Sequence, residues 1–289
     1  MQLLFMRNEQ ELMALIVDVA NRDDRIRAVL LNGSRANPTI SKDIFQDYDI
    51  VYVVSNMSEF LANHNWIDVF GERLILQLPE EMTFGEKDDY AFHYLMLFKD
   101  GNRIDLTLFP VDKLEVYKPD SLTVLLLDKD NLFKNLPPPV EKDYLIRPPT
   151  QKEFSDCCNE FWWVSTYVAK GLWRKEIIYA KEMLEGPVRS MFLKAIGWYV
   201  GVNTKFSVSL GYAGKNLERH VSPGLYNRIL STYPDGDVDN IWKSLFTMTS
   251  VFSDLANSVA QAMSLAYNQE EEQNVKDYLI RIHSSVMGI

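Results

Sequence analysis

The chain has 289 residues, 47% of them hydrophobic and 24% charged, a composition that excludes disorder and allows two domains with cores of their own. Its net charge of −10 lies almost wholly in residues 1–150, where 25 acidic side chains stand against 16 basic ones. Such a field repels a nucleic-acid backbone and concentrates polycationic small molecules. The two cysteines, Cys157 and Cys158, are adjacent, which excludes a disulfide framework and a CxxC site.

The first element is an opening helix over residues 8–21, followed by an apolar run at 26–32 that reads as a strand. Asn32, Gly33 and Ser34 stop that strand in a tight turn with its amides turned outward. A second strand covers 48–54, a short helix 56–63, and further strands 73–78, 91–98, 103–109 and 123–127. Lys99, Asp100, Gly101 and Asn102 form a hairpin signal between two of these strands, and 111–116 reads as a short helical turn. Prolines at 137–139 and 148–149 mark a crossover, after which a 3.6-residue apolar period dominates. Helices are predicted over 152–169, 173–184, 187–203, 212–219, 224–231, 238–266 and 271–284, with Asp237 or Asp239 capping the long one. The expected fold is α+β: a mixed sheet in residues 1–150 and a helical bundle in 151–289. The aromatic residues of the second half read first as bundle packing.

Asp47 and Asp49, two apart on an apolar strand, point to one face, a costly arrangement for a core but a suitable one for a divalent cation. Asp105 sits inside another strand whose Ile104, Leu106 and Leu108 face one layer, so its own face is shared with Arg103, Thr107 and Phe109. Exposed amides around Gly33, beside the Ser34 hydroxyl, make a cradle for phosphate oxygens, with Arg35 in reach or turned outward in a structural role. The glycine spacing matches neither an ATPase P-loop nor a dinucleotide fingerprint. His64, His93, His220 and His283 lack an HExxH arrangement, and no basic leader or 18-residue apolar span is evident. A cytoplasmic, zinc-free protein without a membrane span is expected, and a monomer, since no coiled-coil repeat stands out.

The Gly-Ser turn, the Asp-x-Asp pair and the later lone Asp resemble the nucleotidyltransferase superfamily. The longer text, with Met6 to Gln10, Leu31 to Asn37, Phe45 to Ile50, Trp66 and Arg103 to Thr107, is similar to the streptomycin-modifying aminoglycoside 6-adenylyltransferases over nearly the whole chain. That resemblance implies a nucleotidyltransferase-like first domain, ATP and acceptor bound between the two domains, and transfer of AMP from ATP with Mg²⁺ to the 6-hydroxyl of a streptomycin-like cationic aminoglycoside. It implies Asp47, Asp49 and Asp105 as metal ligands and catalytic groups, Gly33, Ser34 and Arg35 with Lys170 or Lys175 on the nucleotide, and no obligatory nucleic acid. Asp105 is the first choice of general base; if it serves mainly the metal, Glu176 or Glu182 becomes the alternative. Glu86, Asp88, Asp89 and Glu182 are candidate acceptor contacts. Transfer to another antibiotic or a macromolecule, or a non-catalytic nucleotide-binding module, are the alternative functions.

Overall fold

Six short strands build one mixed sheet, the central ones buried nearly throughout, and a helical bundle follows in sequence. The computed structural model describes residues 6–85 and 87–286, with the chain dividing into two units between Asp143 and Tyr144.

In the first unit, helix α1 (Glu9–Arg22) opens with a capping box, Asn8 accepting from the Glu11 amide while Glu11 accepts from the Asn8 amide. Strands β1 (Ile26–Asn32), β2 (Tyr48–Val54), β3 (Arg73–Gln77), β4 (Phe92–Phe98), β5 (Arg103–Pro110) and β6 (Val124–Asp128) follow, with short helices α2 (Gly33–Ala36) and α3 (Met57–Leu61) between them. The sheet order is β3-β4-β5-β2-β1-β6, antiparallel throughout except where β2 and β5 run side by side. All six strands lie where the sequence reading places them, to within about a residue at their ends. Ile50, Tyr52, Val54, Ile104, Leu106 and Leu108 face one side and pack with Leu12, Ile16 and Ala20 of α1. Val51, Val53 and Phe109 face the other, under Leu114, Tyr117, Leu132 and Phe133. The odd positions of β2 and β5 therefore share this second face, and the same alternation carries it back to Asp49 and Asp105.

Two local readings change. The expected tight turn after β1 is the first residue pair of α2, with Asn32 as its N-cap residue. Residues 64–70, given no element by the sequence, form a 3-10 helix because Trp66 packs edge-on against Phe60 and Tyr94, at 4.9 and 5.4 Å between ring centroids.

The turn between β4 and β5 is fastened to the start of the chain. Arg7 Nε donates to Asp100 at 2.5 Å, Asn102 Nδ2 donates to the Arg7 carbonyl at 3.1 Å, and the Arg7 guanidinium lies 5.0 Å from the Phe98 ring centre. Burial alone would raise the Asp100 carboxyl, but hydrogen bonds from Arg7 and from the Asn102 side chain and amide outweigh it and hold it at about 2. A depressed carboxyl stabilises the fold above its unfolded value of 3.8, and that contribution is lost as pH falls through the folded value. The stability difference between wild type and Asp100→Asn is thus expected to shrink by about 2 kcal/mol between pH 6 and pH 2. Urea unfolding across that range reads it, and a pH-independent difference would refute the assignment.

The second unit is built on α4 (Gln151–Trp173), α5 (Ile177–Met183), α6 (Arg189–Thr204), α7 (Pro223–Leu230), α8 (Val238–Met263) and α9 (Gln269–Val286). Phe161 of α4 stacks on Phe252 of α8 at 3.6 Å between centroids, and Trp162 packs edge-on to the same ring. Each such fully buried ring contributes on the order of 2–3 kcal/mol by area. Gly171 belongs inside α4: a Cβ there would stand 2.9 Å from Tyr179 and 3.1 Å from Ala180, so its absence lets α5 pack close.

Three helix boundaries differ from the sequence reading. Helix α5 starts at Ile177, because α4 runs on to Trp173 and Lys175 then takes a left-handed φ of 62°. Between α5 and α6 the chain stays helical through a π turn, Leu184–Val188, which accommodates Pro187 and its missing N–H. The helix expected at 212–219 is two 3-10 turns, because Gly211, Ala213 and Gly214 all have positive φ. Helix α8 starts at Val238, with Asp237 accepting from the amides of Asp239 and Asn240. No helix among the described residues is long and apolar enough to cross a membrane.

Candidate active site

The carboxylates collect at one end of the sheet, where β1 finishes and the parallel pair β2 and β5 begins. Asp49 and Asp105 are direct register partners across that pair, and Asn32 is the partner of Asp49 on its other side. Asp47 lies two residues before Asp49 on the same side of the chain. Tyr48, between them, points the opposite way and is buried. Strand alternation sets Asp49 and Asp105 side by side, and Asp47, just ahead of β2, meets the same Arg103 as Asp105.

Gly33 is pressed against this cluster. Its φ is +70°, and a Cβ built on it would run into a carboxylate oxygen of Asp49 and stand 3.1 Å from the Asp49 Cγ. The start of α2 therefore approaches Asp49 as closely as only glycine permits. Ser34 follows as a half-buried residue whose carbonyl accepts from the Asn37 amide. On the other flank, Thr123 Oγ1 donates to Asn32 Oδ1 at 2.8 Å, fixing the end of β1.

The electrostatics of the cluster are unbalanced. Burial, then the charges of Asp105 and Asp47, push the Asp49 carboxyl up to about 6, with Arg103 opposing and Asp120 adding to the rise. Arg103 is the basic partner among these groups. Its Nε and Nη2 each donate to an Asp105 oxygen at 2.7 Å, and its Nη1 lies 3.6 Å from Asp47 Oδ2. The fork on Asp105 raises the Arg103 guanidinium further above its ordinary range. Among the described residues no three His, Cys, Asp or Glu side chains form a ready-made cation site.

The sequence reading set Arg35 on the nucleotide or turned outward; its side chain is in fact turned inward. Its guanidinium is nearly buried, donates to the Gln46 carbonyl at 2.8 Å, pairs with Glu9 at 3.3 Å and stacks 3.7 Å over the Tyr48 ring. Those contacts brace β2 from below the aspartates. Asp88 accepts from the amides of Tyr90 and Ala91, both at 2.8 Å, and so shapes the entry to β4, while Asp89 is exposed. Glu86 lies outside the described residues.

The remaining candidates belong to the helical unit. The Lys170 ammonium rests 4.3 Å from the Tyr167 ring centre, Lys175 is exposed in its left-handed turn, and Glu176 and Glu182 are exposed at the start and near the end of α5.

Arg103 and Asp120 were not picked out as site residues from the sequence. Arg103 carried a usable signal, since a base two residues before Asp105 on a strand must share its face. Asp120 carried none, because it lies in an irregular connection without a period.

A family model described as streptomycin adenylyltransferase matches residues 6–282. The chain belongs to that family. Similar proteins named aminoglycoside 6-adenylyltransferase share this length: one from Campylobacter jejuni is 41% identical over 96% of both chains. One from Bacillus subtilis strain 168 is 40% identical over 97% of this chain and all of that one. A third, from Staphylococcus aureus, is 36% identical over 95% of this chain and 98% of its own. A crystal structure of an aminoglycoside 6-adenyltransferase from Bacillus subtilis matches at 36% identity and a TM-score of 0.48, covering 96% of this chain and 99% of that one. As a member of the streptomycin adenylyltransferase family, the chain is an enzyme of the nucleotidyltransferase class.

Proposed function

We propose that this enzyme transfers AMP from ATP to the 6-hydroxyl of streptomycin, releasing pyrophosphate, and that Asp47, Asp49 and Asp105 carry the reaction. The observation that supports it most is the registered pair Asp49 and Asp105 on one sheet face, with Gly33 against Asp49, in a chain of this family. The relatives' shared name supports an aminoglycoside as acceptor. The acidity of residues 1–150 suits a polycationic substrate and disfavours a nucleic-acid partner.

The donor chemistry suits Mg²⁺: Asp49 and Asp105 are neighbours across β2 and β5 with Asp47 just before them, all three hard oxygen donors that would have to draw together around the ion. Asp47, Asp49 and Asp105 would hold the ion, which would supply positive charge beside the triphosphate as pyrophosphate leaves. The amides at the start of α2 and the Ser34 hydroxyl are the groups for the phosphate oxygens. Asp105 takes the proton of the acceptor hydroxyl; if it serves only as a metal ligand, Glu176 or Glu182 is the base. Lys170 and Lys175 are the candidate cations for the departing charge. Asp89, with Glu86 and Asp88, offers carboxylates to the guanidino groups of the acceptor. The working state in this reading is a cytoplasmic monomer. A non-catalytic module has no use for a half-buried Asp49 crowded by two further carboxylates, since such an arrangement costs stability.

The test incubates purified enzyme with Mg-ATP and a panel of streptomycin, other aminoglycosides, a lincosamide and RNA. Mass spectrometry is expected to find one added AMP on streptomycin, and fragmentation to locate it on the 6-hydroxyl. Labelling of another substrate class alone would overturn the acceptor assignment.

A further inference from the structure

Arg103 is bound more tightly into the aspartate cluster than a surface counter-charge needs to be. It meets both oxygens of Asp105 with parallel hydrogen bonds of 2.7 Å, and its third nitrogen lies 3.6 Å from Asp47. Two of the three carboxylates proposed to hold the metal are thus already engaged by one guanidinium. A fork of this kind occupies the oxygen atoms that a divalent cation needs. Yet the Arg103 side chain is 44% exposed and sits at the first position of β5, so it can leave without opening the core. Asp49 is not among its hydrogen-bond partners.

We infer that Arg103 is an internal counter-ion that holds Asp105 and Asp47 until a divalent cation displaces it, and so sets how tightly the site takes metal. This inference rests on the metal reading given under Proposed function. The physical consequence is a competition. A binding-competent state populated only when the arginine is away lowers the apparent metal affinity by that fraction. The same contact neutralises the cluster while no cation is there, which keeps the start of β5 from being driven off β2 by like charge. Arg103 is therefore a positioning residue acting through Asp105 and Asp47.

The experiment measures binding of Mn²⁺ alone, without nucleotide, by the loss of the free-ion electron paramagnetic resonance signal. Arg103→Gln is expected to bind Mn²⁺ about tenfold more tightly than wild type, the size of one charge-assisted hydrogen-bonded contact. Arg103→Lys keeps the charge but cannot make the fork, and falls between the two. Adding Asp105→Asn to Arg103→Gln removes the gain. Thermal unfolding gives the second reading: Arg103→Gln melts lower than wild type without metal and rises further on Mn²⁺ addition. Equal Mn²⁺ affinity in wild type and Arg103→Gln, with wild-type AMP transfer intact, overturns the role of Arg103 and leaves the adenylyl-transfer reading standing. Absence of Mn²⁺ binding in both proteins overturns the role together with the metal site.

Discussion

Asp49→Asn is expected to lower AMP transfer by at least about 10²-fold while leaving the protein as stable as wild type or more so. The two side chains have the same shape, so packing against Gly33 and the register with Asp105 survive. What disappears is a negative charge that the fold itself disfavours, as its displacement to about 6 by burial and by Asp105 and Asp47 attests. Lower turnover with no loss of stability would mark Asp49 as a place where function overrides packing. Initial rates with Mg-ATP and acceptor, set beside urea unfolding of the same preparation, separate the two effects. A folded Asp49→Asn enzyme with near-normal turnover would remove Asp49 from the mechanism.

Gly33→Ala is expected to be nearly as damaging, for a reason of shape instead of charge. The new methyl meets the Asp49 carboxylate in a backbone of φ +70°, so either α2 or Asp49 must shift. A left-handed conformation in a non-glycine residue costs on the order of 1–3 kcal/mol. Misplacing a catalytic group by about 1 Å costs about 10² in rate. Gly33→Asn distinguishes these contributions, since asparagine tolerates the left-handed region but brings the same Cβ. It should recover part of the stability and none of the turnover. Parallel measurement of kcat/KM and unfolding midpoint decides it, and full activity in either variant contradicts the close approach as a functional requirement.

The aspartate cluster was legible in the sequence because a strand has a period of two. Once 48–54 and 103–109 are read as strands, Asp49 and Asp105 must each fall on the face opposite Ile50 and Ile104, and a sheet that pairs those strands joins them. Which strands pair is not written in any local pattern. The parallel neighbours β2 and β5 are separated by β3 and β4 in the chain, and their pairing depends on nonlocal packing of Val51, Val53 and Phe109 under residues 114–133. Arg35 shows the same limit at one residue. Beside a glycine-serine turn it reads equally well as a phosphate ligand, and its contacts with Glu9, Gln46 and Tyr48 come from tertiary positions that no local pattern encodes. In the bundle, the 3.6-residue period located the helices but not their junctions. The π turn at Pro187 and the left-handed Lys175 are set by what α4 and α6 must reach, which no period encodes.

The fastening of Arg7 to Asp100 and Asn102 has a bearing on how this gene can vary. Surface connections ordinarily accept added or deleted residues, because their backbone answers only to solvent. Residues 99–102 do not have that freedom. They are anchored by side chain and main chain to a segment more than ninety positions earlier, and Arg103 and Asp105 follow directly. One codon gained or lost there would shift β5 by a single place against β2, turning Ile104 or Leu106 toward the aspartates and burying Asp105 in the apolar layer. Natural variants should therefore keep this turn at fixed length.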